Sequence, residues 1–357
     1  MAELAADTIL RVEGLKKHFP VRRGLLQRVV GSVKAVDDVS FSVQQGRTLG
    51  LVGESGCGKT TTGRMILRAL DPTAGQVWFR QSDGQVVDMA ALRGAEIKQA
   101  RRDMQMIFQD PYSSLNPRMP VMDLIAEPLR ARGWTRPDCE SRVAELMDLV
   151  GLDARMIRRY PHAFSGGQRQ RIGIARALAL KPSLIVADEP VSALDVSVQA
   201  QILNLLQALQ QDLGLTLVFI AHDLSVVRYL CDQVAVMYQG RIVEQGESEA
   251  LFTAPRHPYT ATLLQAAPAP DPHVPWMQDI DETETEAGDT TAPVELVDGT
   301  TAAGGCAFVP RCAHATDLCR QQGPILMPGS TRESQVQYGA AHLAACHHQD
   351  ELQLRGI

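Results

Sequence analysis

Two short stretches carry residue types suited to handling a phosphate chain. The first, GESGCGKT at residues 53–60, follows an apolar run at 49–52 and precedes a stretch of helical character. That strand–loop–helix context is the one in which the pattern G-x-x-x-x-G-K-[ST] carries meaning. Gly53, Gly56 and Gly58 let the backbone turn tightly. Successive N–H groups, those of Glu54, Ser55 and Cys57 among them, can then point inward at a positive helix end and form a nest for phosphate oxygens. Lys59 adds a point charge for the β- and γ-phosphates, Thr60 offers a hydroxyl to Mg²⁺, and Thr61 continues the helix start. Cys57 reads as a small side chain that fits the loop. The second stretch, SLIVADEP, is an apolar strand ending in Asp188 and Glu189, which places two carboxylates at the carboxyl edge of a parallel sheet, where ligands bind. Asp188 is expected to hold Mg²⁺, directly or through water, and Glu189 to polarise an attacking water as general base.

These residues need a scaffold that sets strand ends side by side. Short β-rich runs at 49–52, 105–108, 184–187, 217–221 and 233–237 alternate with helical patterns, as expected of an α/β fold with a parallel sheet. Strand signals vanish between 117 and 180, where VAELMDLVGL and RQRIGIARALAL read as a helical insert. After Asp195, the spacing of Val198, Ile202, Leu205, Leu206 and Leu209 predicts an amphipathic helix packed on the sheet. Arg22, Arg23 and Arg28 lie in a basic insert at 21–34 that reads as a solvated loop.

The composition is that of an ordinary soluble protein: 357 residues, 45% hydrophobic, 21% charged, with a formal net charge of -6. The charge argues against a nucleic-acid partner. No apolar run reaches the roughly 18 to 20 residues that cross a bilayer, and the first residues lack a signal-peptide core. A cytoplasmic chain is expected, its seven cysteines being free thiols or metal ligands rather than disulfides.

A third stretch, FSGGQRQR, sets Ser165, Gly166, Gly167 and Gln168 at a helix start, a second set of N–H donors suited to phosphate. With this motif the sequence resembles the ATP-binding subunits of ABC transporters over about residues 8–350. The resemblance implies an α/β fold, a P-loop NTPase of the ABC ATPase type with a helical subdomain and a small cysteine-containing C-terminal extension. It also implies ATP and Mg²⁺ as ligands, and a head-to-tail dimer in which 165–168 caps the γ-phosphate held by the partner's loop. Gln109, in MIFQD, corresponds to the family's glutamine that senses Mg²⁺ and water and links the site to the membrane partner. Asp195, in SALD, corresponds to the loop along the dimer interface. His222, after TLVFIA, corresponds to the histidine that contacts γ-phosphate, and Phe19, in LKKHFP, to the aromatic that stacks on adenine.

The last hundred residues narrow the class. LFTAPRHPYTATLLQAAPAP, GCAFVPRCAHATDLC and AACHH resemble the ends of ATPases from oligopeptide, dipeptide and nickel importers. The expected function is to power peptide import through two permease subunits in the membrane. A second ATPase subunit, identical or related, would complete the dimer, and an extracytoplasmic substrate-binding protein would deliver cargo. The chain would then sit peripherally on the cytoplasmic face of the membrane. The alternatives are a soluble ABC ATPase of translation or DNA maintenance, and an importer of nickel or glutathione. The expected domains are 8–255, with its helical subdomain at about 117–180; an extension and acidic linker at 256–303, rich in proline, acids and threonine; and a tail at 304–350. In the tail, Cys306, Cys312, Cys319 and Cys346 suit tetrahedral thiolate coordination of Zn²⁺ or an iron–sulfur cluster, though C-x5-C-x6-C-x26-C matches neither a zinc ribbon nor a ferredoxin. The resemblance implies a 4Fe-4S cluster. Cys139 and Cys231 read as ordinary buried thiols.

Overall fold

A computed structural model of the chain describes residues 4–24, 28–110, 112–266, 304–329 and 342–356. In chain order its strands are β1 (Thr8–Arg23), β2 (Arg28–Gln44), β3 (Thr48–Val52), β4 (Ala74–Arg80), β5 (Val86–Asp88), β6 (Met104–Ile107), β7 (Leu184–Asp188), β8 (Thr216–Ala221), β9 (Gln233–Tyr238), β10 (Arg241–Glu247), β11 (Met327–Pro328) and β12 (Leu343–Ala344). Its helices are α1 (Lys59–Ile66), α2 (Ala95–Ala100), α3 (Val121–Arg130), α4 (Arg136–Leu149), α5 (Gly166–Leu178), α6 (Val196–Leu213), α7 (Leu224–Leu230), α8 (Ser248–Thr253), α9 (Pro258–Ala266) and α10 (Asp317–Gln321).

The strands form two sheets. One has the order β2-β1-β4-β5 and is antiparallel throughout; the other has the order β11-β12-β10-β9-β3-β8-β7-β6. Its centre, from β9 to β6, is parallel. Those strands are buried on both faces, which is why TLGLV, LIVAD and TLVFIA read as nearly unbroken apolar runs. Their two faces feed two cores, and the period-2 alternation of strand side chains decides which residue goes where. Val52, Ile185, Ala187, Leu217 and Phe219 face the helices. Leu49, Leu51, Val186, Val218 and Ile220 face the antiparallel sheet and α1, meeting Leu15, Phe41, Phe79 and Met65.

Helices α3, α4 and α5 fill the stretch without strand signals, and α6 buries Ile202, Leu203, Leu206 and Leu209. Cys139 and Cys231 are both buried, and burial pushes the Cys231 thiol up. Two expectations change. The basic insert at 21–34 is a paired arm and not a loop: β1 and β2 continue through it, with Val21 opposite Gly31, Arg22 opposite Val29 and Arg23 opposite Arg28. Backbone pairing, which needs no apolar residue, extends the hairpin beyond the core. The proline-rich segment also begins later than composition suggests, because α9 packs Tyr259 and Leu264 into the core with no exposure. The remainder of the acidic linker lies outside the described residues.

The cysteine tail is part of the larger sheet. β12 pairs with β10 through Glu244 opposite Ala344 and Gln245 opposite Leu343, and β11 pairs with β12. Beneath this join, fully buried Glu244 accepts hydrogen bonds from the backbone N–H groups of Arg256 (2.7 Å) and His257 (2.9 Å) and contacts His342 Nε2 at 2.7 Å. A buried carboxylate needs such a full set of donors.

Candidate nucleotide site

The residues singled out for chemistry follow strands that lie side by side. The loop 53–60 follows β3, His222 follows β8, Glu189 follows β7, and Gln109 lies two residues beyond β6. Because these strands are parallel neighbours, all four segments emerge at the carboxyl edge, the crevice in which open α/β sheets bind ligands.

The loop is held tightly from below. Gly53 has φ 147°, and a Cβ there would collide with the Met237 carbonyl oxygen; Gly58 has φ 109°, and a Cβ there would collide with the Ala35 carbonyl oxygen. Only glycine meets both demands. Lys59 is 5% exposed, and its ammonium donates to the Gly53 carbonyl (2.7 Å) and the Glu54 carbonyl (2.9 Å). Its charge thus rests on the loop's own oxygens, ready to be exchanged for a stronger anion. Burial pushes the Cys57 thiol up, which keeps it neutral inside the loop. Thr60 Oγ1 donates to Asp188 Oδ1 at 2.8 Å. Asp188 is 3% exposed, and burial raises its carboxyl above the usual range in spite of the Thr60 bond. A hydroxyl and a buried, desolvated carboxylate in contact form a donor set that a hard dication would complete.

Glu189 is the point of convergence. Gln109 Nε2 donates to its Oε2 at 3.0 Å, and His222 Nδ1 meets the same oxygen at 3.1 Å. The Glu189 backbone lies at φ +44°, a left-handed conformation that costs a non-glycine residue on the order of 1–3 kcal/mol. Its N–H donates to the Ile220 carbonyl on β8, which holds the residue there. The strained turn keeps the carboxylate at the crevice instead of letting the strand run on.

The remaining expected residues lie elsewhere. Ser165 caps α5: its hydroxyl accepts from the Gln168 N–H (3.3 Å), and Gln168 Oε1 accepts from the Ser165 N–H (3.0 Å). Gly167 is pressed against Val198 of α6, and Gly166 lies near Leu194. Among the described residues no hydrogen bond joins this turn to the phosphate loop of the same chain. Asp195 precedes α6, and its side chain makes no capping bond there. Phe19 is 40% exposed on β1, with the Lys17 ammonium 5.1 Å from its ring centroid.

Cys306, Cys312, Cys319 and Cys346 line one small cavity of about 20 Å³ together with His257, His314, His347 and His348. Burial raises the Cys306 thiol and brings that of Cys346 up to about 11. Burial acts the same way on Cys319, but Thr316 and His348 beside it bring it below the usual value. Among the described residues no group of three or more His, Cys, Asp or Glu side chains is disposed to hold a metal ion.

Two residues of the C-terminal extension touch the phosphate loop, and sequence reasoning missed them. Tyr259 Oη accepts from the Glu54 N–H at 2.9 Å, and Arg311 pairs with both Glu54 carboxylate oxygens at 3.0 and 2.8 Å. They lie 205 and 257 residues away in sequence, so no local pattern could announce them.

Comparison with known proteins agrees with this geometry. Residues 36–192 match the family model described as ABC transporter, and residues 243–319 match that described as oligopeptide/dipeptide transporter, C-terminal region. The chain is 49% identical over 343 residues to a probable peptide ABC transporter ATP-binding protein, y4tS, of Sinorhizobium fredii, covering 96% of this chain and 93% of that one. It is 45% identical over 342 residues to the oligopeptide transport ATP-binding protein AppF of Bacillus subtilis, covering 96% and 97%. Among solved structures it resembles the ATP-binding cassette MJ0796 in a dimeric post-hydrolysis state bound to ADP and Pi. There the TM-score is 0.58 and the identity 27%, over 67% of this chain and 99% of that one. The strand-end crevice, the phosphate loop and the two family matches make this chain a member of the ABC transporter ATP-binding family, in its oligopeptide/dipeptide branch, and an ATP-hydrolysing transporter subunit.

Proposed function

We propose that this subunit powers the import of oligopeptides or dipeptides, and that one observation carries its chemistry: Gln109 and His222 meet on a single oxygen of Glu189. Two donors on one carboxylate oxygen fix the direction of the other oxygen, which is what a general base needs to take a proton from water. Lys59 leaves the Gly53 and Glu54 carbonyls for the β- and γ-phosphates. The backbone of 55–61 cradles those phosphates, His222 reaches the γ-phosphate, and Phe19 stacks on adenine. Thr60, Asp188 and Gln109 are the residues that would hold Mg²⁺, which when bound neutralises charge on the phosphate oxygens.

The turn formed by Ser165, Gly166, Gly167 and Gln168, with Asp195 beside it, serves the partner's nucleotide in a head-to-tail dimer. The N–H groups of Gly166 and Gly167, at the start of α5, have no intrahelical acceptor and suit a γ-phosphate. The ATPase unit is 8–255, and its helical part at 117–180 receives the permeases. A groove of about 600 Å³ between β6, α3 and α5, lined by Phe108, Ser114, Glu127 and Arg176, is the docking place for a permease loop. It adjoins Gln109, so permease movement can reach Glu189 directly. Among the described residues no helix is long and apolar enough to cross a membrane. The subunit works from the cytoplasmic face with two permeases, a second ATPase subunit and, through them, an extracytoplasmic binding protein. In the tail at 304–350, the four thiols around one cavity are the residues that would bind a 4Fe-4S cluster.

The test is Glu189→Gln. The variant is expected to bind ATP, to lose turnover by about 10²–10⁴-fold, and to accumulate as a nucleotide-bound dimer. Turnover at the wild-type rate would remove Glu189 from the role of base.

A further inference from the structure

We propose that Tyr259 and Arg311, from the C-terminal extension, are positioning residues of the phosphate site and that Glu54 is the loop's anchor and not one of its phosphate donors. This rests on the reading of 53–60 as the ATP-binding loop. The N–H and the carboxylate of Glu54 are both engaged away from a ligand. Its N–H donates to Tyr259 Oη, and its two carboxylate oxygens take the Arg311 fork.

Both partners are themselves packed against aromatic rings. Tyr259 is fully buried, its ring centroid 4.6 Å from that of Tyr238 and 5.5 Å from that of Phe308. Burial raises the phenol's proton affinity, so the hydroxyl stays neutral and can accept the Glu54 N–H. The Arg311 guanidinium lies 5.9 Å from the Tyr238 centroid and 5.7 Å from that of Phe308, a position favoured by cation–π attraction. Its bond to Glu54 raises its proton affinity further. A planar fork matched to a carboxylate and backed by aromatic faces is the arrangement in which arginine loses least freedom on binding.

The charge logic explains why the loop needs this support. Glu54 begins the loop that is to receive a polyanion, and an unpaired carboxylate there would repel it. Arg311 cancels that charge from outside the cradle. The turn that carries it, Val309–Arg311, lies within the five residues between Cys306 and Cys312, so the cysteine cavity and the phosphate loop share one short connection.

The experiment is a double-mutant cycle on the full chain, with ATPase kinetics, equilibrium binding of a fluorescent ATP analogue and circular dichroism. Arg311→Ala is expected to raise the KM for ATP and the analogue's Kd by about threefold to tenfold with kcat little changed. Glu54→Gln combined with Arg311→Ala is expected to recover most of that loss, because the repelling charge is gone. Arg311→Lys, which keeps the charge without the fork, should fall between wild type and Arg311→Ala, and it serves in place of Arg311→Ala should that variant not fold. Tyr259→Phe should raise KM without moving kcat. Lys59→Ala is the control for the underlying reading. If it binds ATP normally, the loop assignment fails. If it loses affinity while Arg311→Ala and Tyr259→Phe bind like wild type, or if Glu54→Gln gives no recovery, the positioning role is overturned and the loop assignment stands.

Discussion

Acid should loosen the join between the extension and the ATPase unit, and His257 sets the pH at which it does so. This ring is 2% exposed, and its Nδ1 accepts the Tyr259 N–H at 3.1 Å at the start of α9. An imidazolium has no lone pair to accept that bond, and burial opposes the charge, so the ring takes up its proton at about 4 instead of 6.5. The unfolded chain binds the proton first. Stability from this group is therefore complete above pH 6.5 and falls as the pH drops through the window to about 4. At about 1.36 kcal/mol per pH unit the loss reaches roughly 3 kcal/mol at the lower end. His257→Asn supplies an acceptor oxygen for the same N–H and does not titrate. Urea unfolding at pH 7, 6, 5 and 4 should show the wild type losing about 3 kcal/mol more than the variant across that range. Tyr259 fluorescence or hydrogen exchange in α9 would report the same window locally. Two parallel stability curves would refute the reasoning, because every other histidine is common to both chains.

Two further outcomes follow from packing and stacking. Gly167→Ala would drive a Cβ into Val198 Cγ1 and should cost about 1–3 kcal/mol or shift α5 against α6; adding Val198→Ala should restore thermal stability, and failure to do so would show that space is not the constraint. Phe19→Ala should raise the KM for ATP by about twofold to tenfold, the worth of one aromatic stack, with kcat unchanged, and an unaltered KM would separate Phe19 from adenine.

Much of the site was legible because its parts are local. A glycine-spaced loop after an apolar strand, and a carboxylate pair at a strand end, can each be read in under ten residues. Parallel strands buried on both faces announce themselves in the same way, as at 184–188 and 216–221. The antiparallel sheet was less legible. β1 and β2 carry register shifts between Val12 and Leu15 and again between Leu15 and Lys17, which break the alternation that would mark them as strands, and their outer portions are exposed. The support from Tyr259 and Arg311 was invisible for another reason. It depends on chain closure over more than two hundred residues, and a tyrosine in a helix or an arginine between two cysteines carries no sign of what it will meet. The convergence on Glu189 is intermediate: each of its three residues could be named, but their common oxygen could not.

The way the tail enters the larger sheet has a consequence for anyone who shortens the chain. β10 would be the outermost strand without β12, and its row of unpaired backbone groups would be open to the same strand of another molecule. Glu244 would at the same time lose the imidazole of His342. A chain ending at 266 would therefore be prone to stack edge to edge, and its failures would report an uncovered sheet before they reported any missing cargo or cofactor.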